Sequence, residues 1–389
     1  MDARRQARPP SGAAMPLGVA LVVLLSRLPF LGPGVGTDND AWAVAGAARA
    51  IATTGVYTVS RFPGYPLHEG AAALLLAGGL GWLDAASAVM AALAAALTAV
   101  VLRRAGSRDA ALGAVAFAFV PAVFIASTSG MDYLWACAGL MAALALALRG
   151  RGVAAGLALG VATGLRITSI AYVVPLALVC ASSAPRAPRR EALALGLTAA
   201  LTAAAAYVPV ALRYGPEFLS YYEPAGGHEQ NLLRFITGFA TLYRLPIAPL
   251  YVAGLASVGV WGLLGAGALA AALAGAALRR PPTALRSAAP PGLIPASARA
   301  VGVCRVLILR LPDDEGYLIP ALPFAFVLLA RGCERRVFQA FCVAILLSPF
   351  VLGVDAAPPK KGVTPATRSS LARAIRPGGR ETFVLDPLR

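Results

Sequence analysis

Long apolar runs constrain this chain more than any other feature: segments of about 17 to 30 residues, separated by short breaks that carry Arg or Pro. A helix needs roughly 20 apolar residues to cross the hydrocarbon core of a bilayer. The runs therefore predict an all-α polytopic membrane protein, with about 11 transmembrane helices by length and charge bookkeeping. Composition agrees, since only 13% of the 389 residues are charged and 58% are hydrophobic, with a mean hydropathy of +0.72. A water-soluble domain carries roughly 25% charged residues and is excluded. An outer-membrane barrel needs alternating segments of about 10 residues, which are missing from the sequence.

A net charge of +16 could signal nucleic acid, but the basic residues are not gathered on one domain. They sit at the ends of apolar runs, where basic side chains fix topology and meet anionic headgroups. Arg4, Arg5 and Arg8 precede the first run without a small-residue cleavage site after it, so residues 1–14 read as a cytoplasmic N-terminus and the first run as a span. The clusters around Arg103, Arg149, Arg189, Arg280 and Arg335 are cytoplasmic on the same rule. Parity then requires that one of the two apolar stretches between Leu31 and Arg103 does not cross; residues 66–83, with paired glycines and His68 and Glu69 near the start, are the better candidate. The transmembrane unit is 15–353, with a first outer loop at 32–84, an outer loop at 213–247 and a Pro-rich cytoplasmic linker at 279–296. The polar tail, 354–389, falls outside by parity. Residues 152–183 are too long for one span and read as two short helices meeting near Arg166. The five cysteines show no CxxC pattern, so neither a disulfide framework nor a zinc site is indicated.

Carboxylates are costly in or near a bilayer, which makes the acids informative. Asp38, Asn39 and Asp40 follow the first span and open a helical pattern that ends at Gly55, so capping is one reading of them and catalysis another. Ser60 through Glu69 packs Arg61, His68, Glu69, Pro63 and Pro66 into one outer segment, whose plainer reading is an aromatic headgroup anchor. A third cluster runs from Arg310 through Glu315 and Tyr317 into Pro320 and Pro323. Arg166 lies midway through an apolar stretch and reads either as a snorkelling or acid-paired cation, or as a ligand for an anionic group. Asp132 reads as an acid at the start of a helix.

Taken in order, these motifs resemble the GT-C superfamily of integral-membrane glycosyltransferases, which includes protein mannosyltransferases and the lipid A aminoarabinose transferase. The acidic motif of the first outer loop is similar to Asn39-Asp40-Ala41-Trp42, and its Gly-x-Tyr to Gly55-Val56-Tyr57. The family's Pro-containing stretch resembles Arg61 through Glu69, its Gly-rich span ending in Arg resembles Ala155 through Arg166, and its Tyr-Leu-x-Pro-x-x-Pro resembles Tyr317 through Pro323. The resemblance covers residues 15 to 350 and implies juxtamembrane helices in the first outer loop. It also implies transfer of a sugar from a polyprenyl-phosphate donor to a hydroxyl of a lipid, glycan or protein at the outer face of a bacterial inner membrane.

On that reading Asp40 or Asp38 is the base, and Arg166, Arg61 and Arg310 are cations for the donor phosphate. His68, Glu69, Glu315 and Tyr317 line the pocket or meet the acceptor, and no metal is required. A lipid or solute transporter and a non-catalytic membrane partner are the alternatives. Acids confined to one side favour one-sided chemistry over alternating access.

Overall fold

A computed structural model describes residues 13–31, 39–215, 218, 220–222, 229–231, 252–278, 289–290, 292–310, 315–350, 352–354 and 367–369. The sequence-derived outer loop 213–247, linker 279–296 and tail 354–389 fall largely outside these residues. Helices dominate what is described. Four are long and apolar enough to cross a membrane, namely Leu80–Arg104, Pro188–Tyr214, Val252–Ala277 and Glu315–Gly332, and shorter apolar helices accompany them. The chain is an integral membrane protein of the helical class.

The first part comprises α1 (Ala14–Arg27), α2 (Asn39–Thr54), α3 (Pro66–Leu75) and α4 (Leu80–Arg104). With 10 residues, α3 is about 15 Å long, half the thickness of a hydrocarbon core. It stops at Gly79, whose φ of 95° only glycine adopts easily, and α4 starts at the next residue. The long helix thus takes residues 80–83 from the stretch that the sequence pattern assigns to a non-crossing segment.

Next come α5 (Ala110–Ala118), α6 (Pro121–Ala126), α7 (Tyr133–Ala147), α8 (Gly152–Leu165), α9 (Val173–Ser183) and α10 (Pro188–Tyr214). The apolar stretch 109–126 is long enough for one span, but Pro121 begins a new helix and splits it. Arg27, fully buried at the end of α1, fills the break. Its guanidinium donates to the carbonyl of Ala118, the last residue of α5, and to Ser127 Oγ at 2.7 Å, and lies 4.0 Å from the Phe124 ring centroid. A cation inside the bundle is tolerated because every face meets an acceptor or an aromatic ring.

Helices α1, α4, α7, α8 and α10 pack side by side in that order. The α8–α10 seam is built on glycines four residues apart: Gly152, Gly156, Gly160 and Gly164. A Cβ on Gly156 would sit 1.9 Å from Thr198 Oγ1, and one on Gly160 would sit 2.4 Å from Thr202 Cβ. Between helices in lipid there is no hydrophobic drive, so close backbone approach of this kind supplies the attraction. The seam fixes the end of α8. Arg166 follows with extended backbone (φ −156°, ψ 114°), then a 3-10 turn, Ile167–Tyr172, leads into α9.

The C-terminal part contains α11 (Val260–Leu278), α12 (Leu293–Arg310), a 3-10 segment Glu315–Ala321, α13 (Leu322–Gly332) and α14 (Arg335–Leu347). Two short antiparallel strand pairs are also present, Ser220–Tyr222 with Glu229–Asn231 and Leu352–Val354 with Thr367–Ser369. Arg335 makes a bidentate pair with Asp109 at 2.8 and 3.0 Å, and Gln339 donates to the same carboxylate at 2.9 Å. These bonds tie α14 to the turn before α5.

Candidate active site

The loop between α2 and α3 is folded around one carboxylate. Helix α2 ends at Gly55 (φ 68°), whose N–H bonds the Ile51 carbonyl at 2.9 Å. The chain then curls back so that Glu69, in the first turn of α3, accepts hydrogen bonds from the Ser60 N–H and hydroxyl (both 2.6 Å), the Tyr65 N–H (3.1 Å) and the Tyr57 hydroxyl. Burial, then the neighbouring Glu69 charge, raises the Tyr57 phenol well above its ordinary pKa, so it stays a donor. From α10, Tyr207 donates to the Gly64 carbonyl at 2.9 Å, and Tyr214 accepts from the Val59 N–H at 3.2 Å. The carboxylate expected to meet an acceptor is thus engaged in shaping the loop.

That loop presents Arg61 to two acids. Nη2 hydrogen-bonds Asp132 Oδ1 at 3.2 Å, and Nη1 stands 3.2 Å from Asp40 Oδ2. Asp132, fully buried just before α7, turns its other oxygen to Arg166 Nη1 at 2.6 Å. The result is an alternating array, Asp40–Arg61–Asp132–Arg166, drawn from α2, the loop, the start of α7 and the end of α8. Two carboxylates and two guanidiniums give it no net charge. Buried ions are retained only when paired and hydrogen-bonded, and here each has an opposite neighbour.

Aromatic rings wall the array. The Arg166 guanidinium carbon lies 4.2 Å from the Tyr133 ring centroid, 4.7 Å from Tyr317 and 5.7 Å from Tyr65, and Arg61 lies 4.6 Å from Tyr65. Tyr317 belongs to the 3-10 segment that begins at Glu315, and a Cβ on the intervening Gly316 would collide with Tyr133 at 2.5 Å. Glycine there lets the segment approach the ring. His68 is fully buried on α3, edge-on to Trp135 with ring centroids 5.2 Å apart. Neither of its nitrogens has a hydrogen-bond partner among the described residues. Burial lowers its pKa to about 4 against the pull of Asp132, with Arg61 and Arg166 pushing the same way, so the ring is neutral near pH 7.

Of the residues singled out from the sequence, the structure brings Asp40, Arg61, Arg166, His68 and Tyr317 into one neighbourhood. Glu315 is two residues from Tyr317 in the same segment. Asp38 lies outside the described residues, and of Arg310 only the backbone, as the last residue of α12, is described. Asp132 is the residue that the sequence undersold. Among the described residues, no three His, Cys, Asp or Glu side chains gather as metal ligands.

No family model and no curated protein matches the chain. Among solved structures, it is similar to ArnT from Cupriavidus metallidurans bound to undecaprenyl phosphate, with a TM-score of 0.53 and 19% identity. The two share a fold. The alignment covers 81% of this chain and 59% of ArnT, so the chain spans well under two thirds of that protein.

Proposed function

We propose that this protein transfers a sugar, with inversion, from a polyprenyl-phosphate donor to an acceptor hydroxyl at the outer face of the membrane, with its N-terminus in the cytoplasm. The observation that carries this reading is the array of two arginines sharing the buried Asp132, next to a half-exposed carboxylate, Asp40, at the mouth of an aromatic-walled site. Support comes from a fold like that of ArnT, which was crystallised with undecaprenyl phosphate.

In such a reaction the acceptor oxygen attacks the anomeric carbon from the face opposite the phosphate. Asp40 takes the hydroxyl proton as the new C–O bond forms, and the bond from carbon to phosphate oxygen breaks. The departing polyprenyl phosphate keeps the electron pair. Arg166 and Arg61 neutralise it with forked N–H donors, which match a phosphate better than an ammonium does. Asp132 holds both guanidiniums in place and so acts through them.

The test is transfer from a radiolabelled polyprenyl-phosphate sugar by purified protein. Asp40→Asn is nearly isosteric and keeps a polar side chain in the first turn of α2, so a purely structural role predicts at most about 1 kcal/mol of lost stability. A base predicts a fall of roughly a hundredfold or more with the protein still inserted and monodisperse. Asp38→Asn is the paired control. Parent-rate transfer by both single variants and the double variant would sink the proposal, and lipid translocation without transfer would favour a flippase.

A further inference from the structure

Arg166 is fastened on its acid side by Asp132, while its aromatic side depends on where two 3-10 segments are pinned. One is Ile167–Tyr172, which follows Arg166 in the chain; the other is Glu315–Ala321, which carries the Tyr317 ring to 4.7 Å from the guanidinium carbon. Residue order does not join them. They meet on one side chain of α12, Cys304, which is fully buried. Its S–H donates to the Tyr317 carbonyl at 3.7 Å, and its sulfur is hydrogen-bonded to the Tyr172 hydroxyl. With the S–H committed to the carbonyl, the phenol is the donor in the second bond, which a thiol sulfur accepts. The Ala321 backbone, at the far end of the second segment, faces the same sulfur. Tyr172 is seated in turn by its ring, stacked on Phe324 with centroids 5.8 Å apart. A buried free cysteine ordinarily serves as a small apolar filler. Cys304 differs in bonding to the two segments that flank Arg166.

We propose, on the reading that a polyprenyl phosphate binds at the array, that Cys304 is a positioning residue for Arg166: it clasps the Tyr172 turn to the Tyr317 segment and so sets the direction of the fork offered to the phosphate. Asp132 fixes one corner of the guanidinium, at Nη1. Its plane is set by the rings lying against it, Tyr133 at 4.2 Å and Tyr317 at 4.7 Å, which meet each other edge to face. A planar fork engages two phosphate oxygens only when that plane is right. The Tyr317 ring follows its own backbone, whose carbonyl the thiol holds, and Arg166 follows the turn whose last residue the sulfur holds. Cys304 touches no substrate and acts through these two segments.

Undecaprenyl phosphate, without sugar, is titrated calorimetrically into the full-length protein in detergent, and the melting temperature of each variant is recorded beside it. Cys304→Ala should bind the lipid about two- to tenfold more weakly than the parent, the worth of one net hydrogen bond. Cys304→Ser restores a donor and an acceptor and should recover most of that affinity, which a role in packing alone does not predict. Tyr172→Phe keeps the stacked ring and loses the hydroxyl; it should weaken binding in the same direction, and it supplies the readout if Cys304→Ala folds poorly. Cys333→Ala is the control, because its S–H also donates to a helix carbonyl, that of Ala272, at 3.7 Å. It loses a bond of the same kind elsewhere and should bind like the parent. If Cys304→Ala and Tyr172→Phe bind like the parent while Arg166→Lys binds more weakly, or if Cys304→Ser binds as weakly as Cys304→Ala, the clasp is wrong and the phosphate site stands. If Arg166→Lys and Arg61→Gln also bind like the parent, the phosphate site itself is wrong and the clasp falls with it.

Discussion

Glu69 Oε1 accepts a hydrogen bond from the backbone N–H of Ser60 at 2.6 Å, reaching back across nine residues. With three further donors on the same carboxylate, it is the fastening that brings Arg61 to the acids. Glu69→Gln puts an amide N–H where only acceptors fit. We expect a loss of about 1–3 kcal/mol and a donor KM that rises more than kcat falls, because the loop carrying Arg61 loosens. Thermal unfolding in detergent and initial rates check this; a variant with parent melting temperature and parent KM would show that the loop holds without these bonds.

The Asp132–Arg166 pair should behave as a unit. Removing one partner, as in Arg166→Ala, strips the buried Asp132 of its shorter ion pair and leaves it Arg61 alone at 3.2 Å, and should cost up to about 3–5 kcal/mol. The double variant Asp132→Asn, Arg166→Gln removes both charges at once and should recover most of that stability while transfer stays lost. Arg166→Lys keeps the charge without the fork, so it should retain part of the activity. Full activity in a well-folded Arg166→Ala protein would reduce the residue to an anchor.

His68 gives the fold an acid sensitivity. Its folded pKa of about 4 lies below the ordinary 6.5. Between those values the unfolded chain takes up a proton that the folded chain refuses, so stability falls as pH drops through that window, by about 3 kcal/mol across it. His68→Gln should flatten this part of the profile. The measurement is the apparent melting temperature at pH 7 and pH 4.5; an equal drop for both proteins would assign the acid sensitivity elsewhere.

Gly160→Leu should separate α8 from α10, since even a Cβ meets Thr202 at 2.4 Å. Because the same helix end sets Arg166, the expected loss is in donor use as well as in stability, by about 1–3 kcal/mol or more for overpacking. Gly196→Leu, on α10 with open space around its Cβ, is the control. Equal behaviour of the two would remove the seam from the account.

Much of this was legible from residue order. Helical membrane class and the break of the chain at Arg166 follow from apolar run lengths, and the cost of charge near lipid singles out Asp40 and Arg61, which the structure places 3.2 Å apart. Asp132 was not, because an acid before a helix has an ordinary local explanation; its partners are 34 and 71 residues away and leave no local trace. For Glu69 the sequence suggested a pocket acid, and the structure adds four donors from its own loop, two of them backbone N–H groups, which residue order does not reveal. Arg27 carries no signal of its own in the sequence, because the carbonyl it serves, that of Ala118, lies 91 residues further on and is exposed only by the Pro121 break.

One consequence concerns how such a chain is made. Asp132 precedes α7 and Arg166 follows α8, two consecutive helices joined by a turn at residues 148–151, so their 2.6 Å ion pair closes within a single hairpin. A lone intramembrane charge carries a penalty of several kcal/mol at insertion. Here acid and base can enter the bilayer together, mutually neutralised, before α10 has been synthesised. Arg61, already translated on the loop between α2 and α3, then joins a carboxylate whose position its partner has set.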